Sequence, residues 1–235
     1  MNNSIPKHVV LFPDGNGDWA IKNRVSSWEA HKKGYENLIN FTKWASKRGI
    51  KILTVFGFST ENWGRDAKLV NFLMSLFEKK LLENIDIYLN DPEIQKLGIK
   101  VKVFGQIDRL SNSLQKAIKK VEEITKDNKE MYLNLAVSYG GKWDILNAVK
   151  NIVKEGTPVE KIDEKLFEKH LSLAEFPAPD FLIRAGGQMR LSNFAMWQVA
   201  YSELYFSPKL WPDFSEQDLD QALAEFATRD RRFGK

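Results

Sequence analysis

The chain has 235 residues, of which 43% are hydrophobic and 28% charged, fractions that suit one domain spanning 1–235 with a sizeable core and require no second one. A formal net charge of only +4 points to an anionic small molecule, or weak attraction to a membrane surface, and gives no argument for nucleic acid. The absence of cysteine excludes disulfides, a thiolate nucleophile and Cys-ligated zinc, the three histidines (His8, His31 and His170) are scattered, and no apolar run approaches the roughly 20 residues of a membrane span.

In chain order, residues 9–12 form a short apolar strand that breaks at Asp14-Gly15-Asn16-Gly17 and continues as a helix. A helix over about 28–47 presents Tyr35, Leu38, Phe41 and Ala45 on one face, carries His31 one turn before Tyr35, and stops at Gly49. Residues 50–58 read as a second strand. The helix predicted from Lys68 to about Leu89 is unusually apolar, with Leu69, Phe72, Leu73, Leu76, Phe77, Leu81 and Leu82. Such a helix could wall a hydrophobic tunnel, although by sequence alone these residues read better as core packed on a sheet. Strands over 99–104, 132–137, 181–183 and 204–206 alternate with helices over 110–124, 143–153 and 216–227, and residues 154–158 read as a surface loop. This alternation predicts an α/β fold: a mainly parallel central sheet covered by helices.

Three clusters fall at predicted strand ends, where open α/β sheets bind ligands. At the first, glycines let backbone N–H groups converge on an anion, the following helix offers the positive end of its dipole, and Asp14 is placed to bring Mg²⁺ to the same anion. Taken alone, Asp-Gly and Asn-Gly pairs are usually only turns. The second cluster, Phe58-Ser59-Thr60-Glu61-Asn62-Trp63-Gly64-Arg65, sets an arginine beside polar side chains. The third, Arg184 to Phe194, brings Arg184, Arg190, Ser192 and two glycines to one strand end, a set suited to forked hydrogen bonds with phosphate. No nucleotide-binding glycine motif is present.

With these segments in place, the chain resembles the cis-prenyltransferases, most closely the bacterial undecaprenyl diphosphate synthases. The matching segments are Asp14 to Gly17, His31, Phe58 to Trp63 with Arg65, Tyr139 to Asp144, Arg184 to Phe194, Trp197-Gln198, Glu203 to Phe206, Leu210 to Phe214 and Arg231 to Gly234. The resemblance implies a homodimeric, Mg²⁺-dependent enzyme that condenses isopentenyl diphosphate onto an allylic diphosphate, typically farnesyl diphosphate. It implies a cytoplasmic location, with peripheral membrane contact for product release. Carried over by position, Asp14 is the Mg²⁺-linked catalytic carboxylate, and Gly15, Asn16 and Gly17 hold the allylic diphosphate beside Asp18, Trp19, Ser27 and the diphosphate-contacting His31. Asn62 stands at the position of proton removal among Ser59, Thr60, Glu61, Trp63 and Arg65. Arg184, Arg190, Leu191 and Ser192 take isopentenyl diphosphate, and Glu203 is a metal ligand contributed across the dimer.

Two positions depart from the family pattern, which usually has Arg at Asp18 and often at Ser27. At ~5 Å and an effective dielectric of ~20 one charge pair is worth roughly 3 kcal/mol, here repulsive. Stabilisation of the helix start by Asp18, ~0.3–1 kcal/mol, with pairing to Lys22, does not offset it. Either Arg24 or Lys22 substitutes, or Asp18 joins Asp14 in holding metal, or catalysis is weak. Gly57 is small where short-product members carry bulk, which favours a medium or long polyprenyl product, with Phe72, Leu76 and Phe77 as side chains able to cap growth. The rival readings are a non-catalytic partner subunit of a heteromeric enzyme, which Asp18 and Ser27 favour, and a phosphate-binding regulator, which would need only one anion site.

Overall fold

Every predicted strand forms, and all six join one sheet. In the computed structural model, which describes residues 5–230, the elements are β1 (His8–Phe12), α1 (Asn16–Asn23), α2 (Ser27–Lys47), β2 (Ile52–Ser59), α3 (Ala67–Asn90), α4 (Pro92–Lys96), β3 (Ile99–Phe104), α5 (Asn112–Ile124), β4 (Met131–Tyr139), α6 (Gly141–Lys154), α7 (Glu164–Glu168), β5 (Phe181–Arg184), β6 (Glu203–Phe206) and α8 (Glu216–Ala227). The sheet order is β3-β4-β2-β1-β5-β6, and each neighbouring pair is parallel. The sheet is therefore wholly parallel, where the sequence predicted a mainly parallel one. Among the described residues no helix is long and apolar enough to cross a membrane.

Local chemistry sets the element ends. A capping box between Ser26 and Glu29 starts α2 at Ser27, one residue before the predicted start, and Asp66 caps α3 by accepting from the amides of Lys68 and Leu69. Helix α6 begins at Gly141, earlier than its apolar pattern, because the distant Asn193 supplies acceptors: its carbonyl takes the Gly141 amide (2.6 Å) and its Oδ1 the Lys142 amide (2.8 Å). The short helices α4 and α7 are too brief to leave a period in the sequence.

Alternation along the strands divides the core between two faces. Val9, Leu11, Leu53, Val55, Leu135 and Ile183 pack with α2, α3, α5 and α8, while Val10, Phe12, Phe104, Tyr139, Leu182 and Phe194 fill the other side. On that second face Phe56 stacks on Phe194 at 4.1 Å, and Phe12 meets both edge-on. The buried Asp144 accepts from the Tyr139 hydroxyl (2.8 Å) and from the amide and hydroxyl of Ser172 (3.0 and 2.7 Å), so this matched segment anchors α6 rather than lining the site.

His8 is fully buried; its Nδ1 lies 2.7 Å from the Pro177 carbonyl and its Nε2 2.8 Å from Thr54 Oγ1. Burial pushes its pKa down to about 4, against the Pro177 hydrogen bond and the Asp180 charge. The unfolded chain therefore takes up a proton below about pH 6.5 that the folded chain refuses until about pH 4. Stability should fall by ~3 kcal/mol as pH drops across that window. Urea unfolding at pH 7 and pH 4.5 should show this slope in the parent and a shallower one in His8→Asn.

Candidate active site

The three predicted clusters meet at the carboxyl ends of β1, β2 and β5, on the rim of one cavity of about 920 Å³. Asp14 is the junction. Its Oδ1 accepts from the Gly15 amide (2.8 Å) and its Oδ2 from Arg184 Nη2 (2.7 Å). The turn closes tightly: Gly15 has φ 103°, and at Gly186, with φ 89°, a Cβ would lie 2.9 Å from the Asp14 carbonyl carbon. Arg184 is 3% exposed, and its Nη1 donates to Ser192 Oγ (2.9 Å) and to the Arg190 carbonyl. Its Nε is buried without a partner. Arg184 thus ties the Asp14 carboxylate to the loop that carries Arg190 and Ser192, with its Nε the one guanidinium nitrogen left unbonded.

The more accessible cations are Arg65 and Arg190, both exposed and both on the cavity lining; Arg190 donates to Gln188 Oε1 (2.6 Å). In the β2 cluster Ser59 and Asn62 cap each other: the Ser59 amide donates to Asn62 Oδ1 (3.1 Å) and the Asn62 amide to Ser59 Oγ (3.2 Å). Burial works to raise the Glu61 carboxyl, but the Asn193 side chain, its own amide and the Ser59 and Thr60 hydroxyls outweigh it and hold it below the usual carboxylate range. Asn193 Nδ2 donates to Glu61 Oε1 (2.6 Å), linking the β2 and β5 clusters.

His31 projects from the second turn of α2 into the cavity, with Nδ1 2.8 Å from the Ser27 carbonyl and 3.4 Å from Ser27 Oγ. Burial lowers its pKa, the carbonyl works against this and Arg65 adds to it. The neutral ring donates from Nδ1, so Nε2 is an acceptor until a bound dianion favours the imidazolium.

Of the predicted residues, Asp14, Gly15, Asn16, Gly17, Asp18, Ser27, His31, Ser59, Glu61, Asn62, Arg65, Arg184, Arg190 and Ser192 line this cavity, and five do not. Trp19 packs beneath α1 with Ala20 and Ala30, and Lys33 lies over its ring at 4.4 Å. Thr60 abuts Gly140, Leu191 leans on the second core face, and Trp63 packs on Phe58 while its indole donates to Ser138 Oγ (2.8 Å). Glu203 stands at the opposite end of the sheet, in register with Phe181 while Arg184 pairs with Phe206, and accepts from Arg229 (3.0 Å). Within one chain it is about 10 Å of strand away from the rim, at ~3.3 Å per residue. The Arg231 to Gly234 segment lies outside the described residues.

Asp18 is exposed, and the expected pair with Lys22 does not form: its carboxylate has no ion pair or side-chain hydrogen bond among the described residues. No group of three acidic or His side chains able to hold a metal occurs among the described residues. The donor set nonetheless fits Mg²⁺, which is commonly held by one or two carboxylates together with substrate phosphates. Asp14 offers such a carboxylate, with 44% of its side chain exposed.

The walls below the rim are alkyl. Leu69, Leu73, Met74, Leu76, Phe77 and Leu81 of α3 face Val55, Leu133 and Leu135 of the sheet across the cavity. Sequence alone favoured ordinary core for this helix, and the structure corrects that in part: Val70, Leu81 and Ile85 are fully buried, while Leu73, Met74 and Phe77 pack on the core and also line the cavity. Phe72, expected to cap a growing chain, instead meets Trp28 edge-on at 4.0 Å and does not line the cavity.

Gly34, Tyr35, Asn84 and Asn193 line the same cavity and were not singled out as site residues from the sequence. Asn193 carried a signal, since it lies within the Arg184 to Phe194 cluster and adopts φ 63°, which Asn tolerates. Gly34 carried none. It lets α1 approach α2 so closely that a Cβ there would collide with Asn16 Oδ1, a buried acceptor without a partner. Gly34→Ala should therefore push Asn16 out of the rim and raise KM about tenfold, with a smaller effect on melting temperature. Steady-state kinetics beside thermal unfolding would check this.

Comparison with known proteins finds relatives over nearly the whole chain. The family model described as putative undecaprenyl diphosphate synthase matches residues 12–234. An isoprenyl transferase of Neisseria gonorrhoeae is 42% identical over 99% of this chain and 90% of its own. A chloroplastic (2Z,6Z)-farnesyl diphosphate synthase of Solanum lycopersicum is 45% identical over 98% of this chain and 79% of its own. Among solved structures, lavandulyl diphosphate synthase of Lavandula x intermedia, in complex with dimethylallyl diphosphate, superposes with a TM-score of 0.91 at 39% identity, covering 98% of this chain and 99% of that one.

Proposed function

Because the chain belongs to the undecaprenyl diphosphate synthase family, and is thus a prenyl-transferring enzyme, we propose that it condenses isopentenyl diphosphate onto farnesyl diphosphate to give a cis-polyprenyl diphosphate, a lipid carrier for cell-wall glycans. One observation carries the reading: a single cavity has a rim of carboxylate, glycine and arginine and a wall of alkyl side chains. That is the division a diphosphate with a hydrocarbon tail requires.

In this reading the backbone of Gly15 to Gly17 and the start of α1 hold the allylic diphosphate, while Arg190, Ser192 and Arg184 hold isopentenyl diphosphate. Asp14 stands between them. Asp14, together with Glu203 of a second copy, would hold Mg²⁺, which when bound would supply charge neutralisation at the leaving diphosphate. His31 donates to that diphosphate once its charge has drawn a proton onto Nε2. The allylic C–O bond breaks, the isopentenyl double bond forms the new C–C bond, and the proton then lost passes to the departed diphosphate beside Asn62, whose Oδ1 is fixed by Ser59. Leu146, Val149 and Val153 make an exposed apolar stripe on α6, which supports a homodimer, because such a stripe is normally covered. A cytoplasmic enzyme delivering so apolar a product would touch a membrane at its surface.

The test is incubation of the purified chain with labelled isopentenyl diphosphate, farnesyl diphosphate and Mg²⁺, with chain-length analysis of the product. Elongation is expected. No elongation with farnesyl, geranyl or geranylgeranyl primers would overturn the reading in favour of a partner subunit. Asp18→Arg should leave activity unchanged or lower it, because we assign compensation to Lys22, Arg24 or metal binding at Asp18; a large rise in kcat/KM would show a crippled site instead.

A further inference from the structure

Two polar side chains that line the cavity stand apart from its rim. Tyr35 lies one turn beyond His31 on α2, Asn84 lies near the end of α3, and Asn84 Nδ2 donates to the Tyr35 hydroxyl. Asn84 is close to the far end of the molecule. One turn beyond it the Tyr88 hydroxyl donates to Asn128 Oδ1 (3.2 Å), and Asn128 Nδ2 donates to the carbonyl of Ile99 (2.7 Å), the first residue of β3. That edge of the parallel sheet is opposite the one that carries Asp14 and Arg184. The neighbouring lining residues are Leu38, Ile39, Leu81, Val101 and Val121.

A phenol and a carboxamide facing hydrocarbon are stable only when they satisfy each other. Burial pushes the Tyr35 phenol up, against the Asn84 hydrogen bond and with the Glu83 charge, so it stays neutral. Their bond spans the seam between α2 and α3, and both side chains line the cavity. Nearer the mouth the same two helices meet through the Trp28–Phe72 edge contact.

We propose that the Tyr35–Asn84 bridge closes the α2–α3 seam at the far end of the cavity and thereby sets product length, because a growing chain that reaches it finds no path between the helices. This rests on the condensation reaction proposed above. The pair is a specificity determinant and touches no reacting atom. Tyr35→Phe removes the hydroxyl and leaves the Asn84 amide against hydrocarbon, so the amide turns to water and the seam opens. Adding Asn84→Leu closes it again with an apolar contact.

The experiment compares the products of the parent, Tyr35→Phe, Tyr35→Ala and Tyr35→Phe/Asn84→Leu by mass spectrometry, with the kcat/KM of the first condensation and melting temperatures measured alongside. Expected are a shift to longer products by at least one isoprene unit in Tyr35→Phe, a larger shift in Tyr35→Ala, return to the parent distribution in the double variant, and an unchanged first condensation throughout. Unchanged or shorter products, or a slowed first condensation in Tyr35→Phe, would overturn the inference while leaving the proposed function standing. Failure of the parent to condense at all would overturn both.

Discussion

Asp14→Asn should lower kcat/KM for the proposed chain elongation by on the order of 10²–10³-fold while the fold persists. The substitution keeps the volume and can keep the acceptor for the Gly15 amide, now at 2.8 Å, through the amide oxygen. What it removes is the negative charge. An amide is a poor ligand for Mg²⁺ beside phosphate oxygens, and it no longer opposes the Arg184 guanidinium now 2.7 Å away. The loss should appear mainly in kcat, because the charge matters most as the leaving diphosphate develops its own. Activity within about threefold of the parent would remove Asp14 from the chemistry. Single-turnover measurement with excess Mg²⁺ separates weakened metal binding from a slower chemical step.

Arg184→Met should be nearly as damaging, for a different reason. The side chain is almost wholly buried, and its guanidinium serves three acceptors at once: Asp14, Ser192 and the Arg190 carbonyl. Methionine fills similar space but donates to none of them. Asp14 would keep part of its solvation, being about half exposed, so the folding penalty should be about 1–3 kcal/mol, below that of a fully buried pair. The kinetic effect should be larger, about 10²-fold in kcat/KM, because the loop carrying Arg190 and Ser192 loses its tie to β5 and the two halves of the site no longer share a reference point. A rise in the KM for isopentenyl diphosphate together with a fall in kcat is the expected signature. A change in KM alone would mean that Arg184 only binds. Arg184→Lys should recover little, since one ammonium cannot reproduce the fork.

Most of the fold was legible along the chain. The apolar run of residues 9–12, the β-branched stretch ending at Phe58 and the run through Leu133 and Leu135 alternate with helices of clear period, and a parallel sheet is the arrangement that buries both faces of such strands. The same reading brought Asp14, Asn62, Arg65, Arg184 and Arg190 to one edge, because parallel strands deliver all their carboxyl ends to the same side. It failed for the apolar helix. A stripe of Leu and Phe looks the same in sequence whether it faces packed side chains or an open cavity, and α3 does some of each.

Residue type and spacing therefore determined which strand ends build the rim, since strand direction and periodicity are properties of neighbouring positions. Packing decided what they do there. The grip of Arg184 on Asp14, 170 positions away, the cap that Asn193 gives to α6, the collision Gly34 avoids with Asn16 and the bond from Asn84 to Tyr35 each join segments far apart in the chain. None of these pairings can be read from neighbouring residues, because a hydrogen bond or a close approach between distant segments depends on where the whole core sets them.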